Sequence, residues 1–360
     1  MVTRVVIAPL LPALVTGFGL ALARGVGEYG SVIFIAGNQP FRSEIAPLLI
    51  VVRLQEFDYG GATAIALVLL LISLLALVLV SLVRRRLSVW GEQMMRYALW
   101  IVTWALIVLV LLMPPAVVVA EALKTGLAPA LASLSDPDAQ AAIWLTLEVT
   151  VVSVLVNTVF GILAAWVLTK YRFPGRSALL VLVELPLSIS PVVSGLVWLL
   201  LFGAQGWWGP ALEQAGIHIA FAVPGIMLAT IFVTLPYVVR TLVPLMEQQR
   251  RDAEEAAMLA GAGFWNILWR VTLPGARVAL FSGVLLTTAR AMGEFGAVSV
   301  VSGHIPGMTE TMPLHIESLY NGYQTVAAFS MATLLAGMAM MAVLLRSAPD
   351  WLARRKETQA

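Results

Sequence analysis

The sequence predicts an all-α polytopic membrane protein, a bundle of about eight transmembrane helices. Three observations carry that prediction. Hydrophobic residues make up 60% of the 360-residue chain and charged residues 12%, where a soluble domain carries roughly a quarter charged residues. Uninterrupted apolar runs recur along the chain, and about 20 helical residues suffice to cross a hydrocarbon core of roughly 30 Å. Basic residues collect in alternate loops. Because backbone polar groups find no partner in lipid, the spans are helices.

The first run follows Arg4 and continues from Val5 to about Leu22, longer than the apolar region of a signal peptide, so it reads as a retained span over 10–35. The next runs give spans at 61–83, 98–120 and 141–168. A fifth, 178–202, is interrupted by Pro186 and Pro191. The series ends with 224–246, 276–300 and 325–346. With Arg4 inside, the cytoplasmic segments hold Arg84, Arg85, Arg86, Arg96, Lys170, Arg172, Arg176, Arg250, Arg251, Arg270, Arg354, Arg355 and Lys356. The outer loops hold only Arg42, Arg53 and Lys124. That asymmetry places both termini in the cytoplasm.

Charge and composition also exclude function classes. A net charge of +2 spread over many loops is no nucleic-acid patch. Without cysteine there is no disulfide, thiolate nucleophile or Cys-based metal site. His218, His304 and His315 lack the spacing of metal ligands. No Gly-x-x-x-x-Gly-Lys-[Ser/Thr] loop occurs, so the chain does not itself cradle ATP.

At an offset of 266 residues the chain resembles itself. Arg24, Gly27, Glu28, Gly30 and Gly37 match Arg290, Gly293, Glu294, Gly296 and Gly303, and Glu44, Pro47, Leu48 and Ile50 match Glu310, Pro313, Leu314 and Ile316. Both copies lie on helices running in the same direction, a parallel repeat about an axis along the membrane normal. Two such units would enclose a path between them. Arg4 matches Arg270, so the first unit is expected to be a fragment.

Between the sixth and seventh spans, residues 247–275 are too polar for a span and too regular for a plain loop. Asp252 reads as an N-cap with Glu255 three residues on. Ala256 to Ala260 continue a helix, Gly261 and Gly263 permit a turn, and Phe264 to Trp269 form a second short helix ended by Pro274. This hairpin resembles the EAA loop of ABC-importer permeases through Glu255, Ala256, Ala257, Gly261, Val271, Leu273 and Pro274, with valine where isoleucine is usual. The resemblance implies a type I ABC importer permease (MetI-like) fold. It also implies that the hairpin docks on a separate ATPase subunit, which supplies ATP and Mg; no cofactor is expected on this chain, and no enzymatic activity. Glu255, Ala256, Ala257 and Gly261 are the implied contacts.

Residues 89–360 further resemble the W-type permease subunit of sulfate/thiosulfate importers. The segments that carry this are 134–138 with 142–146, 173–176, 190–196 and 290–303. Residues 1–88 resemble, through 24–37, the C-terminal end of the companion T-type subunit. The implied partners are two ATPase copies, a T-type permease subunit, a periplasmic sulfate-binding protein and membrane lipid. The implied location is the bacterial inner membrane. The Arg290 to Gly296 block is shared with molybdate-type permeases, so a molybdate or other oxyanion permease stays open. So do a non-functional fusion of two permease genes and, as a different class, a secondary transporter or channel without an ATPase.

Two candidate anion-path elements remain. Arg290 and Glu294 stand four apart on one helical face, and ionisable residues in a span mark function by default. Either they gate an anion path or they are a structural pair that fixes helix register, and Arg24 and Glu28 share both readings. Ser190 and Ser194, beside Pro191, either line the path through their hydroxyls or bond back to the carbonyls four residues earlier.

Overall fold

The computed structural model describes residues 28–30, 43–84, 112–171, 173–248 and 252–358, with isolated positions 17, 21, 25, 32, 104 and 108. Every regular element among them is helical. α1 (Ala46–Gln55) and α2 (Tyr59–Arg84) form one pair. α3 (Met113–Ala122) and α4 (Leu127–Leu134) meet at 90°. The corner lies at Gly126, whose φ of 106° suits a residue without Cβ.

α5 (Pro137–Lys170) is the longest span. Asp136 caps it by accepting the Asp138 N–H at 2.9 Å, and Pro137 fills the first helical position. Its 34 residues extend about 50 Å, well beyond the hydrocarbon thickness. Some of its turns therefore stand clear of the membrane core.

α6 (Arg176–Ser188) and α7 (Pro191–Phe202) are bent by 107°, so the single span expected over 178–202 is two helices. Ile189 and Ser190 between them are extended, as the residue before a proline prefers. α8 (Gly209–Gln214) is a short connector. α9 (Val223–Thr234) and α10 (Pro236–Gln248) run on as one span, as the sequence predicts for 224–246.

α11 (Asp252–Leu259) and α12 (Phe264–Ile267) are the arms of the hairpin. A π turn over Leu268–Thr272 leads into α13 (Leu273–Met292). Two expectations are corrected here. Asp252 is itself helical, within α11, and does not stand before the helix. Pro274 does not end the second arm: it sits in the first turn of α13, directly after the π turn, and Phe264–Met292 is one continuous span. The seventh span thus starts earlier and stops earlier than 276–300, with α14 (Gly296–Val301) a separate helix after it. α15 (Met312–Asn321) and α16 (Thr325–Thr358) complete the chain.

Four described helices can cross a membrane unaided, and six do so if each bent pair counts as one span. The expected first span and most of the third fall outside the described residues, and α2 matches the second.

Small residues set the packing. A Cβ added to Gly161 on α5 would stand 2.5 Å from Val238 Cγ1 on α10, so the two backbones close together only because that atom is missing. Gly195 on α7 has the Ala297 carbonyl of α14 where its own Cβ would be, at 2.5 Å. Asn157, fully buried on α5, donates to the Ile231 carbonyl at 3.1 Å and to Thr234 Oγ1 at 2.8 Å, a clamp on α9. Such interhelical bonds contribute on the order of 1 kcal/mol in membranes.

The repeat persists in the backbone. Ala46 and Met312 open α1 and α15, Gln55 and Asn321 close them, and Tyr59 and Thr325 open α2 and α16, each pair 266 apart. Both turns between the helices pass through a non-glycine residue at φ 59°, Phe57 in one copy and Tyr323 in the other.

Candidate functional site

The hairpin has a bare tip and a buried base. α11 ends as Gly261 takes φ 82°, and the Ala262 N–H reaches back to the Ala257 carbonyl at 3.0 Å, closing the turn. Leu259 at the tip is 90% exposed, with Met258, Trp265 and Trp269 exposed near it. Exposed apolar groups clustered on a short hairpin, rimmed by exposed Glu255, are what a protein-docking surface presents. Ala256 is exposed and Ala257 half-buried, so a partner helix or cleft could approach the backbone closely there.

The base is a cluster of Trp166, Ile267, Leu268 and Leu273, all buried, which seats the hairpin on the end of α5. Phe264 packs edge-on against Trp166 with ring centroids 5.4 Å apart. Lys170 at the end of α5, largely covered, pairs with buried Glu254 at 2.9 Å, and Thr272 donates to the same carboxylate oxygen at 2.6 Å. Glu254, Lys170 and Thr272 were not among the sequence candidates. Leu273 belongs to the base and not to the docking tip.

Arg290 and Glu294 do meet, with Arg290 Nη1 2.7 Å from Glu294 Oε2. Glu294 is almost fully buried, and its other oxygen accepts the Ala297 N–H of α14 at 3.1 Å. A carboxylate at a helix start is favourably placed against the helix dipole. The pair therefore locks the corner between α13 and α14. Tyr237 also bonds to Arg290, and Glu28 lies near enough for its charge to act on Arg290. Arg24 is outside the described residues.

Ser190 and Ser194 are buried at the start of α7. Ser194 Oγ donates to the Ser190 carbonyl at 3.3 Å, which is the back-bonding alternative of the sequence reading.

A further polar group stands at the start of α15, where Glu310, just before the helix, takes His315 Nδ1 at 3.0 Å and the Ser318 hydroxyl at 2.6 Å. Burial alone would push the Glu310 carboxyl up, but the bonds from His315 and Ser318 and the histidine charges outweigh it and hold the carboxyl below its ordinary value. No group of three or more potential ligands among the described residues could hold a metal.

Against known proteins, the family described as binding-protein-dependent transport system inner membrane component matches residues 157–358. The sulfate transport system permease protein CysW of Escherichia coli K12 is 49% identical over 251 residues, covering 70% of this chain and 86% of that protein. Its counterpart in Synechocystis is 50% identical over 240 residues, covering 67% and 87%. The probable sulfate transport system permease protein cysT of Nephroselmis olivacea is 34% identical over 253 residues, covering 70% and 88%. Among solved structures, a bacterial alginate ABC transporter in complex with its alginate-bound periplasmic protein aligns with a TM-score of 0.60 at 18% identity, over 71% of this chain and 93% of that one. That likeness is one of fold.

Proposed function

The chain belongs to the binding-protein-dependent transport system inner membrane components and is a permease subunit of an ABC importer, and from that premise we propose that its cargo is sulfate or thiosulfate. The observation that carries the coupling part is the hairpin, whose bare Leu259 tip stands on a base pinned by Lys170 and Glu254. A tip that a partner moves, on a base that cannot slip, passes the displacement to α5 and α13.

In this reading Glu255, Ala256, Ala257 and Gly261 contact the ATPase, which holds ATP and Mg and is present in two copies. A T-type permease subunit and a periplasmic sulfate-binding protein complete the assembly in the bacterial inner membrane, with both termini in the cytoplasm. Residues 89–360 form the W-type unit, and residues 1–88 derive from a T-type unit. The W-type relatives named above support sulfate over other oxyanions.

Arg290 and Glu294, present as a closed pair, either gate the anion path or fix the register of α13 against α14. Uptake of radiolabelled sulfate by vesicles holding the chain, an ATPase and a binding protein tests the reading, with thiosulfate and molybdate as competitors. Uptake that ignores ATP depletion, or purification of the chain without an ATPase, sinks it. Normal uptake in both Arg290→Lys and Glu294→Gln removes the gate role alone.

A further inference from the structure

Tyr29 and Phe295 are equivalent positions of the repeat, 266 apart, and they touch. Their rings stack with centroids 5.6 Å apart and planes 19° from parallel. Gly30, the equivalent of Gly296, lies so close that a Cβ on it would be 3.8 Å from Phe295 Cβ. Glu28 is the equivalent of Glu294, and both act on Arg290. Residues meeting their own counterparts are the mark of a two-fold axis, because only positions beside such an axis face themselves.

The packing around the contact is continuous. Tyr29, Leu48, Ile50, Ala62, Ala66 and Leu69 of the first copy are buried with Val192, Val193, Leu196, Leu199 and Val300 of α7 and α14 in one apolar cluster. Ile50 and Val192 are both fully buried in it.

We propose that the described residues among 28–84 occupy, within their own chain, the face on which a second permease subunit would pair with the described residues among 112–358. This rests on the permease reading for the identity of the competitor, but the occupancy stands on the contacts alone. The chain carries a resident occupant of its own subunit interface. A separate T-type permease subunit and this segment hold the α7 and α14 face only in turn, so the pairing proposed above requires the segment to leave.

The natural chain has no cysteine, so Gly30→Cys with Phe295→Cys introduces one thiol pair. Their Cβ separation of 3.8 Å matches the mean of real disulfides, about 3.8 Å. Mild oxidation of membranes containing the full chain is expected to give an intrachain bond, seen as a monomer of altered mobility that dithiothreitol restores. The oxidised chain is then expected to lose all co-purification with a co-expressed, tagged T-type permease subunit. A disulfide found only between chains, or a T-type subunit that co-purifies with the intrachain-bonded form, overturns the proposal.

A second probe keeps the phenylalanine. A photoreactive benzoylphenylalanine at position 29, in mixed light and heavy-isotope chains, is expected to attach to the peptide containing Phe295 in the same chain. Attachment only across chains, or to other peptides, also overturns the proposal. Neither probe needs the ATPase, so ATPase co-purification reports separately on the permease reading.

Discussion

In the first copy of the repeat α1 and α2 turn at Phe57, and in the second α15 and α16 turn at Tyr323, with matched ends and the same φ of 59°. The residues along the short helix differ. Where α15 carries His315, Glu317 and Ser318, α1 carries Leu49, Val51 and Val52. Glu44 and Glu310 are both present, but only Glu310 has a histidine and a serine at the positions that reach it. The shared features, a proline opening the short helix and a turn two residues past its end, fix the backbone path. The polar network is an addition that the path tolerates but does not require.

The largest expected difference, between the hairpin and the first copy of the repeat, is functional. Leu259→Asp places a charge on a tip that is already exposed, so the fold should melt at its usual temperature while uptake and ATPase co-purification are lost. Phe57→Asp, at an exposed turn of the first copy, should leave both intact. Loss of uptake in the second variant would erase the functional distinction.

Ion pairs should differ next. Lys170→Met leaves Glu254 buried beside Thr272 with no cation, at a cost of about 3 kcal/mol in unfolding free energy. Arg53→Ala in the first copy breaks a half-exposed pair with Glu56 and should cost less than about 0.5 kcal/mol. Chemical denaturation in detergent compares the two, and equal costs would mean that the hairpin base is wet.

His315→Leu gives the second copy the residue of the first and should cost about 2 kcal/mol, because Glu310 stays buried with a bond missing. It should also change the acid response. A carboxyl held below its ordinary value contributes stability above its unfolded pKa, and loses it as pH falls through the folded value. The variant should therefore show a smaller stability loss on acidification, and an unchanged acid limb would contradict the network.

The smallest effect is the most symmetrical. Phe57→Gly and Tyr323→Gly each relieve a left-handed backbone at an exposed residue, for a gain of about 1 kcal/mol. Thermal shifts of opposite sign would break the equivalence of the two turns.

Much of this was legible in the sequence, and the failures have physical causes. The hairpin was visible because Gly261 must turn and Glu255 and Ala256 face outward, both local features. Asn157 could have been singled out, since a lone amide deep in an apolar span needs a partner across helices. Glu254 could not be told from Glu255, because the choice depends on Lys170, 84 positions away in the chain and brought near only by the fold. Pro191 announced a break in the fifth span, but the 107° bend depends on α7 lying against the Ala297 carbonyl through Gly195, a contact with no local trace.

The π turn over Leu268–Thr272 left no pattern either, since Trp269, Arg270 and Val271 read equally well as α-helix. It stands at the root of the hairpin and winds one more residue into its turn than an α-helix does. Each residue of a helix advances the facing direction by about 100°. Such a wide turn can absorb one residue, and deleting one there would restore an ordinary α turn with the flanks near register. A deletion in the regular part of α13 next to it has no such slack, and would swing Leu259 by more than a quarter circle about the axis of α13 with the spelling of the tip intact. The direction of the hairpin tip is thus set by a count of residues, like the index mark on a dial.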